Sequence, residues 1–341
     1  MSSRRPTPVM KRVVIGIAAV FLPLFFPHVG HAMTISPPVL DFTLNPGDTV
    51  SDVVQVYNEE EVPFKITPEV VNFYGKSGDE TSGTPEFYPA KETRNGYELA
   101  PWIALMSGEQ IASPKARIDY PISISVPKDA QPGSHFGAVQ ILASDPKGEP
   151  GAGNVGINRG ASVLVFVRVN GVARDEMTVS RFGGDRNIYP HLPVAFDIRL
   201  DNTGNTHLRP TGDVFIKDML GRQVAALPVN PGPDFRTVLP GSARRFAASW
   251  FKKKLPDSAG EYQRQIKNFG FGRYDATLVM DYGPDNRILT AEYSFWVLPW
   301  LAIATITASA IVSAILLAYG IKRYNRLVIR RHEAMMSQSK K

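Results

Sequence analysis

Cysteine is absent from this sequence of 341 residues. Without a thiol the chain can form no disulfide, no thiolate metal site and no cysteine nucleophile. Domains outside the cytoplasm often rely on disulfides, so any such domain of this chain must be stabilised by its hydrophobic core alone. The absence therefore excludes thiol-based redox chemistry and cysteine-protease chemistry.

Catalytic motifs are also scarce. The sequence contains neither HExxH nor GxSxG, so two common metalloprotease and hydrolase signatures are missing. Outside the N-terminal segment the histidines are His135, His191, His207 and His332, which lie far apart in sequence. We expect no catalytic residue, no cofactor and no metal site, and we expect that the chain is not an enzyme. A serine, histidine and aspartate triad assembled in space is the alternative.

Two short patterns resemble ligand loops. Residues 151–156 have the glycine spacing of a dinucleotide-binding loop, but they lie between two predicted strands, whereas that loop must precede a helix. We interpret them as the tip of a hairpin. Residues 201–205 carry several oxygen ligands, but a calcium loop needs more carboxylates. We interpret them as a capped turn at a strand end.

An uncharged, mostly apolar run covers residues 13–26, and four basic residues precede it. The run is 14 residues long, whereas a helix needs about 20 residues to cross a bilayer. Small residues then occupy positions 30 and 32. This three-part pattern predicts a secretory signal peptide over residues 1–32, with cleavage after Ala32. An uncleaved N-terminal anchor is the alternative.

A longer uncharged run separates Glu292 from Lys322. Residues 297–319 can cross a bilayer as one helix, and aromatic residues cluster at both ends of the run. Seven basic residues and one acid follow in residues 320–341. Because Lys and Arg favour the cytoplasmic side, we expect a single-pass type I protein of the cell membrane. Residues 297–319 would be the transmembrane helix and residues 320–341 a basic cytoplasmic tail.

The formal charge of the whole chain is +6. Four basic residues belong to the N-terminal segment, and seven basic residues and one acid belong to the C-terminal tail. The outer portion therefore keeps 27 of 38 basic residues and 31 of 32 acids, a net charge of −4. The excess of basic residues therefore lies in the two terminal segments and not in the outer portion, so we expect no nucleic-acid partner.

Alternation with a period of two residues recurs in the outer portion. Val194, Phe196, Ile198 and Leu200 alternate with smaller or polar residues, as a strand with one buried face requires. Gly, Pro and Asn turn signals separate such runs, and no helical period is evident between residues 33 and 294. We predict an all-β fold with two tandem immunoglobulin-like β-sandwich domains, at residues 33–170 and 171–296.

Four segments carry a resemblance to known domains. Residues 35–50 are similar to the opening strand and Pro-Gly turn of bacterial immunoglobulin-like domains, and residues 54–58 resemble their second strand. Residues 125–139 resemble a late turn and strand, and residues 200–207 a strand-end motif. With the signal peptide, terminal helix and basic tail, the order of features resembles the WxL-interacting cell-surface proteins and, more distantly, the periplasmic pilus chaperones. The first resemblance implies binding at the peptidoglycan side and binding of host or surface partners.

Trp102 and Trp250 are the tentative ligand surface, because exposed indole rings stack on glycans. The core is the alternative place for both, since aromatic residues in sandwiches usually pack inside. We expect a membrane-anchored extracytoplasmic binding protein of the bacterial cell envelope, which binds surface proteins or cell-wall glycan. The alternative is a membrane-tethered chaperone or assembly factor for surface subunits, which would act by strand pairing.

Overall fold

The computed structural model describes residues 33–75, 85–144, 159–233 and 235–338. Within these ranges the chain consists mainly of strands, with one short helix and one long C-terminal helix. Four sheets pack into two sandwiches that follow one another along the chain. This arrangement confirms the predicted all-β, immunoglobulin-like fold. The expected signal peptide and the glycine motif at 151–156 lie outside the described residues.

The described part of the first sandwich contains ten strands and a turn of 3₁₀ helix at Ala100–Trp102. The strands are β1 (Met33–Ser36), β2 (Val39–Leu44), β3 (Thr49–Asn58), β4 (Phe64–Gly75), β5 (Pro85–Pro89), β6 (Ile103–Leu105), β7 (Gln110–Ala112), β8 (Arg117–Ser125), β9 (Gly133–Ser144) and β10 (Arg159–Val169). One sheet has the order β1-β3-β8-β6. The other has the order β2-β10-β9-β4-β5, and β7 also pairs with β4.

The N-terminal segment passes from one sheet of this sandwich to the other. β1 pairs antiparallel with β3, and β2 pairs parallel with β10 from Val39 to Leu44. Pro37 and Pro38 stand between the two strands and have no N–H to donate, so the ladder is interrupted where the chain changes sheets. As a result β2 covers only the second half of β10, from Leu164 onwards.

The described part of the second sandwich contains eight strands and helix α1 (Glu261–Lys267). The strands are β11 (Met177–Gly183), β12 (Ile188–Tyr189), β13 (Val194–Asn202), β14 (Thr211–Asp218), β15 (Gln223–Val229), β16 (Ala243–Trp250), β17 (Gly272–Tyr282) and β18 (Arg287–Val297). The sheets have the orders β11-β13-β16 and β12-β18-β17-β14-β15.

The predicted alternation of β13 has the expected register. Val194, Phe196, Ile198 and Leu200 are buried in the second core, while Ala195 between them is exposed. A slip of one residue would exchange the two faces of the strand, so the buried set fixes the register. The polar residues of this strand instead form ion pairs on the outer face of the sheet.

Helix α2 (Trp300–Gln338) follows β18 after two residues. Its stretch Trp300–Arg330 is long and apolar enough to cross a membrane, because its most apolar 18-residue window has a mean hydropathy of 2.3, and only 6% of that window is buried. The helix begins later than the expected residue 297, because Val297 pairs with Gly272 and is fully buried in the second core. Pro299 suits the turn into a helix because its φ is already helical.

Helix α1 was not predicted from the sequence and corrects the expectation of an outer portion without helices. It has seven residues, about two turns, which is too short to show a 3.6-residue period. Its buried residue Gln265 faces the start of α2, and the two helices are in contact. This short helix therefore connects the second sandwich to the apolar C-terminal helix.

Candidate binding surface in the cleft between the domains

The larger sheet of the first sandwich is apolar on both faces. Its outer face carries Phe73 on β4, Phe136 on β9 and Phe166 on β10, with ring centroids 5.2 Å (Phe73 to Phe136) and 5.9 Å (Phe73 to Phe166) apart. These rings are buried although they point away from the core of their own domain. Leu239 of the second domain completes the cluster. The two domains therefore meet on an aromatic surface.

A cavity of about 210 Å³ lies beside this cluster, between the two domains. Phe73 and Phe166 form part of its apolar wall from the first domain, and Phe235 and Leu239 contribute from the second. A pocket of this kind, with a mostly apolar lining and a few polar groups, is typical of the sites where proteins bind ligands. The remaining lining residues are Val39, Gly75, Pro85, Leu164, Arg236, Thr237, Ser242, Ala243 and Arg244.

The polar side of this cavity is positively charged. Arg236 and Arg244 line it, and none of the described lining residues is acidic. Burial, and then the nearby charge of Arg236, lower the pKa of Arg244. An Nη1 hydrogen of Arg244 is donated to the carbonyl oxygen of Thr237 at 2.7 Å. A cavity with two cations and an apolar wall favours an occupant that carries both an apolar group and an anionic or hydrogen-bond-accepting group.

The loop that carries Arg236 is fixed by Asn230. The side-chain amide of Asn230 donates to the carbonyl oxygens of Pro210 at 2.7 Å and Arg236 at 3.0 Å. Its Oδ1 accepts the backbone N–H of Arg236 at 2.7 Å. Because Asn230 is buried and satisfied by these three bonds, the backbone at Arg236 is held in place at the mouth of the cavity.

Polar contacts hold the two domains together beside the cavity. His207 of the second domain lies with Nδ1 at 2.7 Å from Ser134 Oγ and Nε2 at 3.3 Å from Asp41 Oδ2. Arg209 Nη2 lies 2.7 Å from the same Asp41 oxygen. Burial raises the pKa of Asp41, but the hydrogen bonds and charges of His207 and Arg209 outweigh it, so the pKa is lowered overall.

A second ion pair crosses to the segment between the domains. Arg168 on β10 donates from Nη1 and Nη2 to the two carboxylate oxygens of Asp175, at 3.1 and 2.9 Å. Thr206 also donates to that carboxylate. Burial acts against the ionised form of Asp175, but these bonds lower its pKa. The ion pairs at Asp41 and Asp175 thus join the first domain to the second.

One edge of β10 is open next to the cavity. Residues Arg159–Val163 pair with β9, but β2 begins to pair only at Leu164. In the described ranges of the chain no strand occupies the other side of this half of β10. Val39 and Leu164, where β2 begins, also line the cavity. An open edge presents unpaired N–H and C=O groups to another chain.

The two tryptophans proposed from the sequence lie apart, one in each domain. Trp250 is 4% exposed and packs edge-on against Tyr274 and Phe295 in the second core, so it presents no ring face to a ligand. Trp102 is half-buried, packs against the first core and lies with its ring centroid 4.3 Å from that of His135. A ligand surface at Trp102 stays a prediction.

The oxygen-rich segment at residues 201–205 forms a turn at the end of β13. Asn202 is buried, and its side-chain amide donates to the carbonyl oxygens of Thr206 at 2.7 Å and Val238 at 3.0 Å. Its Oδ1 accepts the N–H of Gly204 at 3.0 Å. The polar atoms of Asn202 are thereby used inside the turn. Among the residues that the structure describes, no cluster of three or more His, Asp or Glu side chains could hold a metal ion.

The comparison with protein-family models finds no match for the chain, and neither does the comparison with curated proteins. Among solved structures the chain is similar to the class 5 fimbriae chaperone CfaA, with 11% identity over 78% of this chain and 100% of that chain and a TM-score of 0.39. It is also similar to the E. coli chaperone DraB, with 12% identity over 78% and 98% and a TM-score of 0.34. The Pseudomonas aeruginosa chaperone CupB2 gives 9% identity over 77% and 100% and a TM-score of 0.35. At such identities the likeness concerns the fold alone.

Proposed function

We propose that this chain is a membrane-anchored, extracytoplasmic protein that binds a protein partner in the cleft between its two sandwiches. The observation that carries the proposal is the open edge at Arg159–Val163, which adjoins the arginine-lined cavity. Of the two functions expected from the sequence, this geometry favours the assembly factor that acts by strand pairing over a receptor for glycan. The partner would be a subunit of the cell envelope.

Recognition would combine two contacts. An extended segment of the partner would add to the sheet along residues 160–163, where main-chain hydrogen bonds provide affinity without regard to sequence. One apolar side chain of that segment would enter the cavity between Phe166 and Leu239. An acidic or amide group next to it would meet Arg236. Because the ion pairs of Asp41 and Asp175 already hold the domains, less conformational entropy would be lost when the partner binds.

The anchoring half of the proposal rests on helix α2. Its apolar stretch is exposed along almost its whole length, as a lipid-facing helix is. The four basic residues Lys322, Arg323, Arg326 and Arg330 lie in the C-terminal third of this stretch, after its uncharged part, and the basic residues of such a helix favour the cytoplasmic side. Both sandwiches would then stand outside the cytoplasm, where envelope subunits are assembled.

Site-specific photo-crosslinking in living cells tests the cleft. A photoreactive benzoylphenylalanine would replace Ser162 on the open edge, and the control would replace Ser123 on β8, which is paired on both sides by β3 and β6. Both serines are half-buried. The proposal predicts a discrete adduct with an envelope protein at Ser162 and none at Ser123.

Reversing the charge of Arg236 tests whether the charged cavity takes part in binding. Arg236→Glu should reduce the Ser162 adduct, because an acidic side chain at the mouth of the cavity would repel an anionic group of the partner. Equal adduct yields at the two serines would contradict binding at the open edge. An adduct that is unchanged by Arg236→Glu would contradict the role of the charged cavity.

Glycan binding at Trp102 is the second candidate, and the observation in its favour is that this ring stays partly exposed beside His135. Sedimentation of the detergent-solubilised full chain with isolated cell wall tests it. If glycan stacks on Trp102, Trp102→Leu should lower the bound fraction while Trp102→Phe keeps most of it. Equal binding by both variants and the parent chain would reject this site.

A further inference from the structure

The end of the second sandwich next to α2 exposes an unusual amount of apolar surface. Phe269 and Phe271 lie in the loop before β17, Met219 and Leu220 in the turn after β14, and Phe251 after β16. All five side chains are exposed, and Leu220 is 70% exposed. Large apolar side chains gathered in one area of a protein surface usually mark a contact with another protein, a membrane or a ligand.

Backbone contacts place these side chains at the start of the membrane-spanning helix. Gly272 pairs with Val297, the last residue of β18, so Phe271 lies next to the point where the chain leaves the sheet. A Cβ atom at Gly272 would touch the end of the Met219 side chain, so the turn after β14 reaches the same place. Trp296 and Trp300, on either side of the junction, are also exposed.

Helix α1, which lies just before Phe269 in the chain and contacts α2, adds further apolar side chains. Its exposed side chains include Tyr262 and Ile266, while Gln265 between them is buried. The Oε1 atom of Gln265 accepts the N–H groups of Leu301 at 3.0 Å and Ala302 at 3.3 Å. These are N–H groups of the first turn of α2, which no helical carbonyl can accept. The short helix is thus held against the membrane-spanning helix, and its apolar side chains face outwards beside it.

The same end of the domain is basic although the outer portion as a whole is acidic. Residues 251–273 contain six basic residues and two acids, a net charge of +4, whereas residues 33–296 together have a net charge of −4. Three of these residues, Lys252, Lys253 and Lys254, are consecutive and exposed. The buried Asn268 fixes their backbone, since its Oδ1 accepts the N–H groups of Lys252 at 3.2 Å and Lys253 at 2.7 Å.

We propose that this apolar and basic end of the second sandwich is a membrane-docking surface, which inserts its exposed aromatic residues into the headgroup layer and binds anionic lipid through its lysines. Trp and Tyr side chains prefer the headgroup level, Phe and Leu side chains enter the boundary between headgroups and acyl chains, and each basic residue near an anionic surface adds to the attraction. The lipid bilayer is the expected partner of this surface because the sandwich continues directly into α2. A helix that enters the bilayer at Trp300 brings Phe271 and Trp296 to the bilayer surface. The proposal rests on the anchoring by α2 in the proposed function.

Spin labels on the full chain in lipid nanodiscs test the docking surface. Because the chain has no cysteine, each introduced cysteine is the only labelling site. The test position is Phe271→Cys, 52% exposed, and the matched control is Ile288→Cys, 70% exposed, at the far end of the same strand as Trp296. Trp296 follows Ile288 by eight positions along the strand, a distance of about 26 Å at about 3.3 Å per residue. A third label, Ile311→Cys, lies within the apolar stretch of α2.

The readout is the accessibility of each label to oxygen, which dissolves in lipid, and to a water-soluble nickel chelate. In bilayers with anionic phospholipid, the label at residue 271 should be more accessible to oxygen and less accessible to nickel than the label at residue 288. The difference in accessibility between these two labels should become smaller in the double variant Lys253→Gln/Lys254→Gln, and also in purely zwitterionic bilayers. If residue 311 reports lipid but residue 271 is as water-exposed as residue 288, docking is overturned while anchoring stands. If residue 311 itself reports water, anchoring by α2 fails and the docking proposal fails with it.

Discussion

The side-chain oxygen Oε1 of Gln265 lies 3.0 Å from the backbone nitrogen of Leu301 and accepts its hydrogen. Gln265 belongs to α1 of the second sandwich and is fully buried, whereas Leu301 is in the first turn of α2. The bond therefore connects a folded domain directly to the start of the apolar C-terminal helix. It also satisfies an N–H group that a helix leaves without an internal partner.

Removal of this bond should loosen the junction. We predict that Gln265→Ala lowers the stability of the start of α2 by about 1 kcal/mol, as the loss of a helix cap usually does. Hydrogen exchange at the backbone amides of Leu301 and Ala302 should therefore become faster. The matched control is Gln263→Ala, because Gln263 is on the same short helix but exposed. Hydrogen exchange of the full chain in nanodiscs compares the two variants. Equal protection of both amides in the two variants would show that Gln265 does not act as a cap.

The register of β13 provides a test of the second sandwich. Ile198→Asp should unfold this domain, because burial of an unpaired carboxylate costs several kcal/mol, which is comparable to the stability of a whole domain. Ala195→Asp on the same strand should be tolerated, because Ala195 is exposed. Limited proteolysis of the two full-length variants in detergent measures the difference. Similar cleavage of both would mean that the strand does not have this register.

The contact between the domains should depend on pH through Asp41. Its pKa is lowered below 3.8 in the folded protein by His207 and Arg209, which outweigh the effect of burial. A carboxyl group with a lowered pKa contributes stability above its unfolded pKa, and this contribution is lost as the pH falls through the folded pKa. The interface should therefore be unaffected by Asp41 between pH 7 and about 5, and should loosen below about pH 4.

Distances between spin labels at Ser51→Cys and Ile288→Cys, one in each domain, report this change. The distribution of distances should be narrow at pH 7 and broaden in acid, and Asp41→Asn should broaden it already at pH 7. Asp119→Asn is the control, because Asp119 forms an exposed ion pair with Arg117 within one domain. A distribution that stays narrow in Asp41→Asn would mean that this carboxylate does not hold the domains together.

Gly133 should be intolerant of a side chain. Its φ is +122°, and a Cβ atom there would lie 2.6 Å from the carbonyl oxygen of Asn205 in the other domain. Gly133→Ala should destabilise the chain by more than the roughly 1–2 kcal/mol that a left-handed residue costs, because the domains must also move apart. Gly96→Ala is the control, since Gly96 has a φ of +78° and nothing lies within 4 Å of its added Cβ. Thermal unfolding of both variants measures the extra loss.

Most of the fold could be predicted because its signals are local. A strand with one buried face has a period of two in its own residues, and Val194 to Leu200 show that period directly. The uncharged run after Glu292 likewise predicts a membrane-crossing helix by length alone. Its start could not be fixed by composition, because Val297 is as apolar as the helix and is taken up by the core of the sandwich.

The candidate site could not be predicted, because its residues come together only in the folded chain. Phe73, Phe166 and Leu239 are distant in sequence, and each has the properties of an ordinary core residue. One signal was available, since residues 163–167 read Val-Leu-Val-Phe-Val without alternation, which indicates a strand with both faces buried. Tryptophan residues have a stronger local signal for a ligand surface, but Trp250 is enclosed by the packing of its own domain.

In the proposed orientation both sandwiches stand outside the cytoplasm, while the end of α2 lies inside. Single cysteines at Ile288, exposed on the second sandwich, and at Arg330, exposed near the end of α2, test this directly in intact cells with a maleimide that cannot cross the cell membrane. We predict that Ile288→Cys is labelled in intact cells and that Arg330→Cys is labelled only after the membrane is permeabilised. Labelling of Arg330→Cys in intact cells, with Ile288→Cys protected until permeabilisation, would contradict the account.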